Sequence, residues 1–168
     1  MKNQKGFSLI ELLIVVVIIG IIAAIAIPNL LAARRGANEG SAISSLRTMH
    51  GANVTYQATA GSGKFAADMA ALKTANLIDA TLAGATGATT AKSGYFYTYA
   101  ASDPDVNPST FEVVAGQSTE EGITATGTRK FLIAEEGVVY ATSGAGAATD
   151  IPAIDDDRVV TEAVPLNN

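Results

Sequence analysis

The feature that most constrains this sequence is an apolar run close to its N-terminus. The 21 residues from Phe7 to Ile27 carry one formal charge, Glu11. About 20 consecutive apolar residues are enough for a helix to span a bilayer, and the sequence has no second run of this kind. This argues against a membrane protein with several spans, and a fully soluble chain would require that this run be removed.

Two interpretations of the run leave its charge unexplained. A secretory signal could be cut after Ala26, but the apolar core of such signals is shorter, roughly 7–15 residues. A plain membrane anchor would keep its N-terminus in the cytoplasm, because Lys2 and Lys5 precede the run. Neither gains anything from Glu11, although a charge at the membrane centre costs about 2.5–3.5 kcal/mol, and less near an end.

A third interpretation gives Glu11 a partner. If the chain is cut between Gly6 and Phe7, Phe7 carries a new α-amino group at the edge of the apolar run. Glu11 lies four residues further on, about 6 Å along a helix axis. When two such helices pack with an axial shift, the amine of one meets the carboxylate of the other. Buried charges are tolerated when they are paired, so this pair would favour one stagger between neighbouring subunits.

The stretch KGFSLIEL at residues 5–12 resembles the cleavage and methylation motif of type IV pilins and of the related type II secretion pseudopilins. The resemblance covers the first 36 residues. It implies that Gly6 precedes the cut, that Phe7 becomes the N-methylated first residue, and that Glu11 is the assembly glutamate. An inner-membrane prepilin peptidase would carry out both modifications.

Methylation leaves the pairing argument intact, because a secondary amine keeps its positive charge. Removal of residues 1–6 takes away two lysines, so the mature chain has 9 basic against 16 acidic side chains besides the new amine.

Gly20 and Pro28 are the weak points of the predicted helix. Glycine lowers helix propensity, and proline removes a backbone donor and clashes with the preceding turn, which predicts a kink. Pro28 also matches the helix proline of the family, whose filaments lose helicity in this stretch, and the resemblance implies the same here. Alternatively, Gly20 serves only to let helices pack closely.

Beyond the proline, residues 29–60 predict an amphipathic continuation of the helix. Five apolar side chains fall within an arc of about 160° at 100° per residue: Ile43, Leu46, Met49, Val54 and Tyr56. We expect this stripe to cover a small sheet.

The remaining sequence predicts short elements. Residues 61–64 break the helix, a short helix follows at 66–78, and the alternating aromatic residues of 95–99 are typical of a strand. Three further segments predict partner strands: 110–115, 129–134 and 138–141. We therefore expect an α+β fold in which a long N-terminal helix, transmembrane in its apolar half, packs by its C-terminal half on three or four antiparallel strands, as in the pilin fold.

The composition argues against several chemistries. The absence of Cys removes disulfides, thiolate metal sites and Cys nucleophiles. The 11 basic and 16 acidic side chains form no clustered basic stretch, so nucleic acid is not expected as a direct ligand. No nucleotide-binding loop and no set of nucleophile, base and orienting group can be assembled. We expect no enzymatic activity, no cofactor and no metal.

Two features leave a choice open. His50 is either a metal ligand or proton carrier, or a histidine bonded to a neighbour or to backbone, and the absence of a second His or a Cys favours the second reading. Asp155–Asp157 could contribute to a calcium site, but three consecutive acids cannot point the same way, which favours a solvated loop.

The sequence thus predicts four segments: a leader peptide at 1–6, a transmembrane and assembly helix at 7–28, its amphipathic continuation at 29–60, and a head at 61–168 with an acidic C-terminal tail. The resemblance implies a structural subunit of a homo-oligomeric helical filament. The subunit is either a major pilin-like component of a type IV pilus or the major pseudopilin of a type II secretion system. Many pilins close their C-terminal region with a disulfide, which this chain cannot form.

The same resemblance implies partners and location. Before assembly, the subunit would cross the inner membrane once, with a cytoplasmic N-terminus and lipid around its helix. An inner-membrane assembly platform with a separate ATPase would then move it into an extracellular pilus or a periplasmic pseudopilus. A rival of another class is a membrane-tethered extracytoplasmic binding module, for which Glu11→Leu would be harmless.

Overall fold

The computed structural model describes residues 7–102, 109–143 and 163–166. Contacts divide the chain into two compact units, Met1–Arg34 and Arg35–Asn168. Helix α1, Leu9–Ala58, begins in the first unit and ends in the second. The helix stops where the sequence predicts a break: Gly63 has a φ of +90°, a left-handed conformation that favours glycine.

In the N-terminal unit, α1 continues through both predicted weak points. Gly20 and Pro28 lie inside the assigned helix. Directly after the proline, the Asn29 side-chain amide donates to the carbonyl of Ile25, four residues earlier, at 3.1 Å. A side-chain donor thus bonds a backbone carbonyl close to the position where the proline lacks an amide.

The second unit, which we call the head from here on, includes residues 35–60 besides the predicted head at 61–168. It contains all the strands that the structure describes. After α1 come α2 (Met69–Thr74) and α3 (Ala80–Gly84), followed by a single 3-10 turn at Ala88–Thr90. The strands are β1 (Tyr95–Ala101), β2 (Phe111–Gln117), β3 (Arg129–Ala134), β4 (Val139–Ser143) and β5 (Val164–Pro165). They form one antiparallel sheet in the order β1-β2-β3-β4-β5. The predicted α+β pilin-like fold is confirmed.

The core of the head lies between the C-terminal part of α1 and one face of the sheet. Leu46 and Met49 of α1 are fully buried and belong to the same apolar cluster as Tyr95 and Tyr97 of β1 and Phe131 of β3. The predicted tyrosine face of the first strand therefore packs in the core. Burying each large apolar side chain contributes about 1.5–3 kcal/mol.

The prediction that Val54 belongs to the buried stripe of α1 is wrong. Val54 is 45% exposed, because the buried face of α1 is centred on Met49 and Asn53, and Val54 lies about 100° further round the helix than Asn53. The small residues Ala42 and Ala52 occupy the buried face instead and let the helix approach the sheet closely.

Three further elements differ from the sequence predictions. The helix expected at 66–78 is shorter, because α2 ends at Thr74 and the chain turns at Asn76, whose φ is +58°. Helix α3, which follows this turn, was not expected. The two helices are capped by Asp68 and Asp79, whose carboxylates accept backbone amides. Strand β5 was not expected; it pairs with Tyr140 and Ala141. Residues 103–108, between the first two predicted strands, and the acids Asp155–Asp157 lie outside the described residues.

Candidate functional site

The apolar half of α1 is exposed along its length. Leu9 is 82% exposed, Ile25 67% and Leu30 69%, and an 18-residue window of this helix has no buried residue within the chain. By length and composition the helix could cross a membrane. An exposed apolar surface of this extent requires lipid or other protein chains around it.

Glu11 is bonded within its own helix. Its Oε2 atom accepts a hydrogen bond from the Ser8 backbone amide at 3.0 Å. Ser8 directly precedes α1, so Glu11 occupies the third helical position and supplies one half of a capping box. The sequence Ser8-Leu9-Ile10-Glu11 is the S-x-x-E signature of that motif, a signal that our sequence reasoning overlooked.

This bond does not use up the carboxylate. An ionised carboxylate offers two oxygens with about four acceptor positions, so Glu11 can hold the Ser8 amide and still accept a cation. The macrodipole at the start of a helix also favours a negative charge there.

The other predicted residues of the N-terminal segment are placed as follows. Phe7 is 84% exposed, and Gly6 lies outside the described residues. A Cβ built on Gly20 would meet nothing within 4 Å in the chain. This open space would accommodate a neighbouring helix. The structure therefore brings Ser8 and Glu11 together, whereas the cationic partner proposed for Glu11 arises only when the chain is cut before Phe7.

A second polar cluster, which sequence reasoning missed, lies on α1 at the start of the head. Glu39 is 5% exposed. Its Oε1 accepts the backbone amide and the hydroxyl of Thr128 at 2.8 and 2.7 Å, and its Oε2 accepts Nε and Nη2 of Arg129 at 2.9 and 2.8 Å. Both guanidinium donors thus converge on one carboxylate oxygen, and such charge-assisted bonds are stronger than bonds between neutral groups.

The environment of Glu39 keeps its carboxyl ionised. Burial acts to raise the pKa of Glu39, but the hydrogen bonds from Thr128 and the guanidinium of Arg129 outweigh burial and hold that pKa below its usual value. Tyr95, whose hydroxyl donates to the Arg129 carbonyl at 2.7 Å, has a pKa raised chiefly by burial.

Two neighbours of Glu39 on the same helix extend the cluster. Arg35 donates to the carbonyls of Gly122, Ile123 and Ala125 at 3.1–3.2 Å. Asn38 donates to the Thr126 carbonyl at 2.8 Å. Residues 35, 38 and 39 share one face of a helix, so this face binds the β2–β3 connection, which we call the clamped loop (residues 118–128).

A weak sequence signal pointed to this cluster. Glu39 is the one acid between Glu11 and Asp68, and it follows Arg35 by four residues in a stretch of small side chains. Its partners lie about 90 positions further along the chain, so the sequence pattern could not identify them.

His50 is bonded to backbone. Its Nε2 lies 3.1 Å from the Glu135 carbonyl oxygen, and its ring packs against Gly137, where a Cβ would approach the ring to 3.0 Å. Within the described ranges, no three His, Cys, Asp or Glu side chains are grouped so as to hold a metal ion.

An apolar N-terminal helix whose second part packs on a small antiparallel sheet is the α+β architecture of the pilin fold. Residues 1–27 match the family model described as the prokaryotic N-terminal methylation motif. These findings confirm the resemblance to the family of type IV pilins and type II secretion pseudopilins.

Individual relatives come from both branches of that family. The chain is 69% identical over 39 residues to the type IV wide pilus major component PilA4 of Thermus thermophilus, which is 23% of this chain and 30% of that protein. It is 35% identical over 57 residues to type II secretion system core protein G of Klebsiella pneumoniae, 34% of this chain and 41% of that one. It is 44% identical over 54 residues to the type IV major pilin protein PilA of Myxococcus xanthus, which is 32% of this chain and 24% of that protein.

The chain thus matches less than half the length of these relatives. No solved structure matches it significantly.

Proposed function

We propose that this chain is a structural subunit of an extracytoplasmic helical filament, similar to the major pilin of a type IV pilus. The observation that carries the proposal is the exposed apolar half of α1, interrupted by the single charge of Glu11. Lipid can cover this surface before assembly, and the helices of neighbouring copies can cover it afterwards. Its role is structural, with no catalytic step of its own.

Processing creates the partner of Glu11. A prepilin peptidase cuts after Gly6 and methylates Phe7, and the new amine lies about 6 Å along the helix axis from Glu11. The N-terminal methylation motif at residues 1–27 supports this step. In the filament, the Phe7 amine of one subunit neutralises the Glu11 carboxylate of a neighbour and thereby selects one axial stagger, since a buried charge without a partner is strongly unfavourable.

The subunit's location follows from the same helix. It crosses the inner membrane once, with its N-terminus in the cytoplasm, because positively charged flanks stay on that side. An assembly platform with a separate ATPase extracts it into the filament, and helix contacts replace the lipid contacts.

Two variants of Glu11 test the pairing. Glu11→Gln keeps an oxygen that can accept the Ser8 amide but removes the charge, whereas Glu11→Leu removes both. Both proteins are expected to insert and to be cut, but their amount in the sheared filament fraction should fall at least about tenfold. The reason is that removing one partner of a buried ion pair costs more than about 1.4 kcal/mol. Cells are sheared, and filament and membrane fractions are blotted for the subunit.

The matched variants separate the explanations. Wild-type filament yield with Glu11→Gln would show that the capping bond suffices and would overturn the charge pairing. Wild-type behaviour of both variants, without any sheared filament, would favour a membrane-tethered binding module. The mass of the purified subunit tests processing independently: loss of residues 1–6 with gain of one methyl group is expected.

The major pseudopilin of a type II secretion system is the second candidate. The similarity to core protein G extends over 57 residues, further than the 39 residues matched in PilA4. Deleting the gene distinguishes the two: loss of surface filaments supports the pilus, and loss of protein secretion without loss of surface filaments supports the pseudopilus.

A further inference from the structure

Strand β1 is an edge of the sheet, and part of its outer edge has no strand partner among the residues that the structure describes. β1 pairs with β2 on one side. Tyr97 points its amide to the other side, where the Ala85 carbonyl accepts it at 2.7 Å. Tyr95 makes two backbone bonds with Lys92 on the same side. Backbone groups of alternate residues in a strand face the same edge, so the amide and carbonyl of Tyr99 also face outward.

These groups at Tyr99 have no backbone partner among the described residues, and neither has the carbonyl of Tyr97. Proteins commonly cover or block such edges, since they are templates for pairing with another chain. On β1, the backbone of Ala85 and Lys92 covers the outer edge at Tyr95 and Tyr97, and no backbone group of the described residues bonds the edge at Tyr99.

A groove of about 390 Å³ lies beside the open part of the edge. Residues 97–99 of β1 form one wall, and residues 68–70 at the start of α2, with Ala83 and Thr86, form the other. The Tyr99 side chain in this lining is held in place, because its hydroxyl lies 2.8 Å from Asn53 Oδ1 and 2.7 Å from the Ala66 carbonyl oxygen and donates its one proton to either acceptor. A fixed groove next to unpaired backbone groups is the geometry of strand addition.

The charge of the groove selects its occupant. Asp68 is the charged side chain among its lining residues, and the head as a whole has 8 basic and 15 acidic side chains from Arg35 to Asn168. A basic segment is attracted to so acidic a head more strongly than a neutral or acidic one.

We propose that this groove binds an extended basic peptide segment of another protein, which adds as a strand to the outer edge of β1 and places a Lys or Arg side chain beside Asp68. Backbone hydrogen bonds to Tyr97 and Tyr99 supply the pairing, and the carboxylate supplies the preference for a basic side chain. This inference does not depend on filament assembly.

The probe is a fluorescein-labelled pentapeptide of alternating threonine and valine with a central lysine. It is titrated with the full chain in nonionic detergent micelles, and anisotropy reports binding. The peptide with central glutamate is expected to bind more weakly, and a version N-methylated at alternate amides should lose binding, because it cannot pair as a strand.

Two variants of the chain locate the site. Asp68→Asn keeps the cap of α2, since Asn caps as well as Asp. It is expected to weaken the lysine peptide about two- to fivefold and to strengthen the glutamate peptide, because the repulsion by Asp68 is removed. Thr86→Arg places a long side chain in the groove and should weaken binding at least about tenfold. Thr124→Arg on the exposed clamped loop is the matched control and should leave the affinity unchanged.

The proposal is overturned if the N-methylated peptide binds as tightly as the parent, or if Thr86→Arg binds like Thr124→Arg. It is also overturned if the Thr86→Arg chain, whose own groove is blocked, displaces the peptide from the wild-type chain. That result would show that a second copy is the occupant.

Discussion

Glu11 caps its own helix, and the proposed pairing would give the same carboxylate a second task. One oxygen caps the first turn of α1 through the Ser8 amide, and the acceptor positions that remain can take an amine from a neighbour. The cap fixes the side chain near the start of the helix, which reduces the conformational entropy lost when the intermolecular pair forms. A glutamate at this position is therefore better prepared for pairing than one on an unrestrained helix face.

At the same scale, Glu39 holds the clamped loop. Glu39→Gln removes the charge opposite Arg129 and places an amide group where a donor is already present. We expect a loss of about 1–3 kcal/mol in the free energy of unfolding of the head, the cost of leaving buried donors without a full partner. Urea unfolding of the full chain in micelles, followed by near-ultraviolet circular dichroism of the tyrosines, measures it.

Glu121→Gln is the control for this experiment. Glu121 lies in the same loop but is exposed, so its replacement should change the unfolding free energy by no more than about 0.5 kcal/mol. Equal effects of the two substitutions would show that the bonds of Glu39 do not hold the loop.

The lowered pKa of Glu39 predicts how the stability of the head depends on pH. Because its pKa is lower in the folded than in the unfolded state, the carboxyl stabilises the head fully above its ordinary pKa of about 4.3. That contribution is lost as the pH falls through the folded-state pKa, where protonation breaks the bonds to Arg129. The melting temperatures of wild type and Glu39→Gln, measured from pH 7 to pH 3, should therefore converge on acidification. A constant difference would contradict this assignment.

At the scale of elements, the packing of α1 on the sheet rests on a few large side chains. Leu46→Ala should cost about 2–5 kcal/mol, because Leu46 is fully buried in the core and its truncation leaves a cavity. Val54→Ala is the matched control on the same helix and should cost no more than about 0.5 kcal/mol. Urea unfolding measures both free energies of unfolding. An equal loss for the two variants would contradict the assignment of Leu46 to the buried face of α1 and of Val54 to the exposed face.

These elements show how far sequence reasoning reached. Sequence periodicity could predict several core residues. The 3.6-residue period places Leu46 and Met49 on one face of α1, and the 2-residue period places the tyrosines on one face of β1. The position of Val54 could not be predicted in this way, since an arc of apolar residues does not define which of its ends meets the sheet. Strand β5 is two residues long and has no period to detect.

The candidate site divides in the same way. Gly6, Phe7 and Glu11 could be proposed because their motif is local in sequence. The Glu39 cluster could not, because Thr128 and Arg129 come near it only when the chain folds back after β2. Long-range pairing of this kind leaves little trace in one sequence.

At the scale of the whole molecule, the two units solve different problems. Residues 7–34 expose most of their apolar side chains, and this surface requires lipid or other protein chains around it. The head buries its own core, and Arg35, Asn38 and Glu39 of α1 hold the clamped loop within it. A chain built this way can exchange the surroundings of its helix without unfolding its head, which the proposed transfer from membrane to filament requires.

A high-resolution map of the assembled filament would show directly whether Glu11 of one subunit pairs with the Phe7 amine of a neighbour. The proposed pairing places the Glu11 carboxylate of each subunit within about 4 Å of the methylated Phe7 amine of a neighbour, the range of an ion pair. Glu11 side chains directed to lipid or water, away from every such amine, would contradict it.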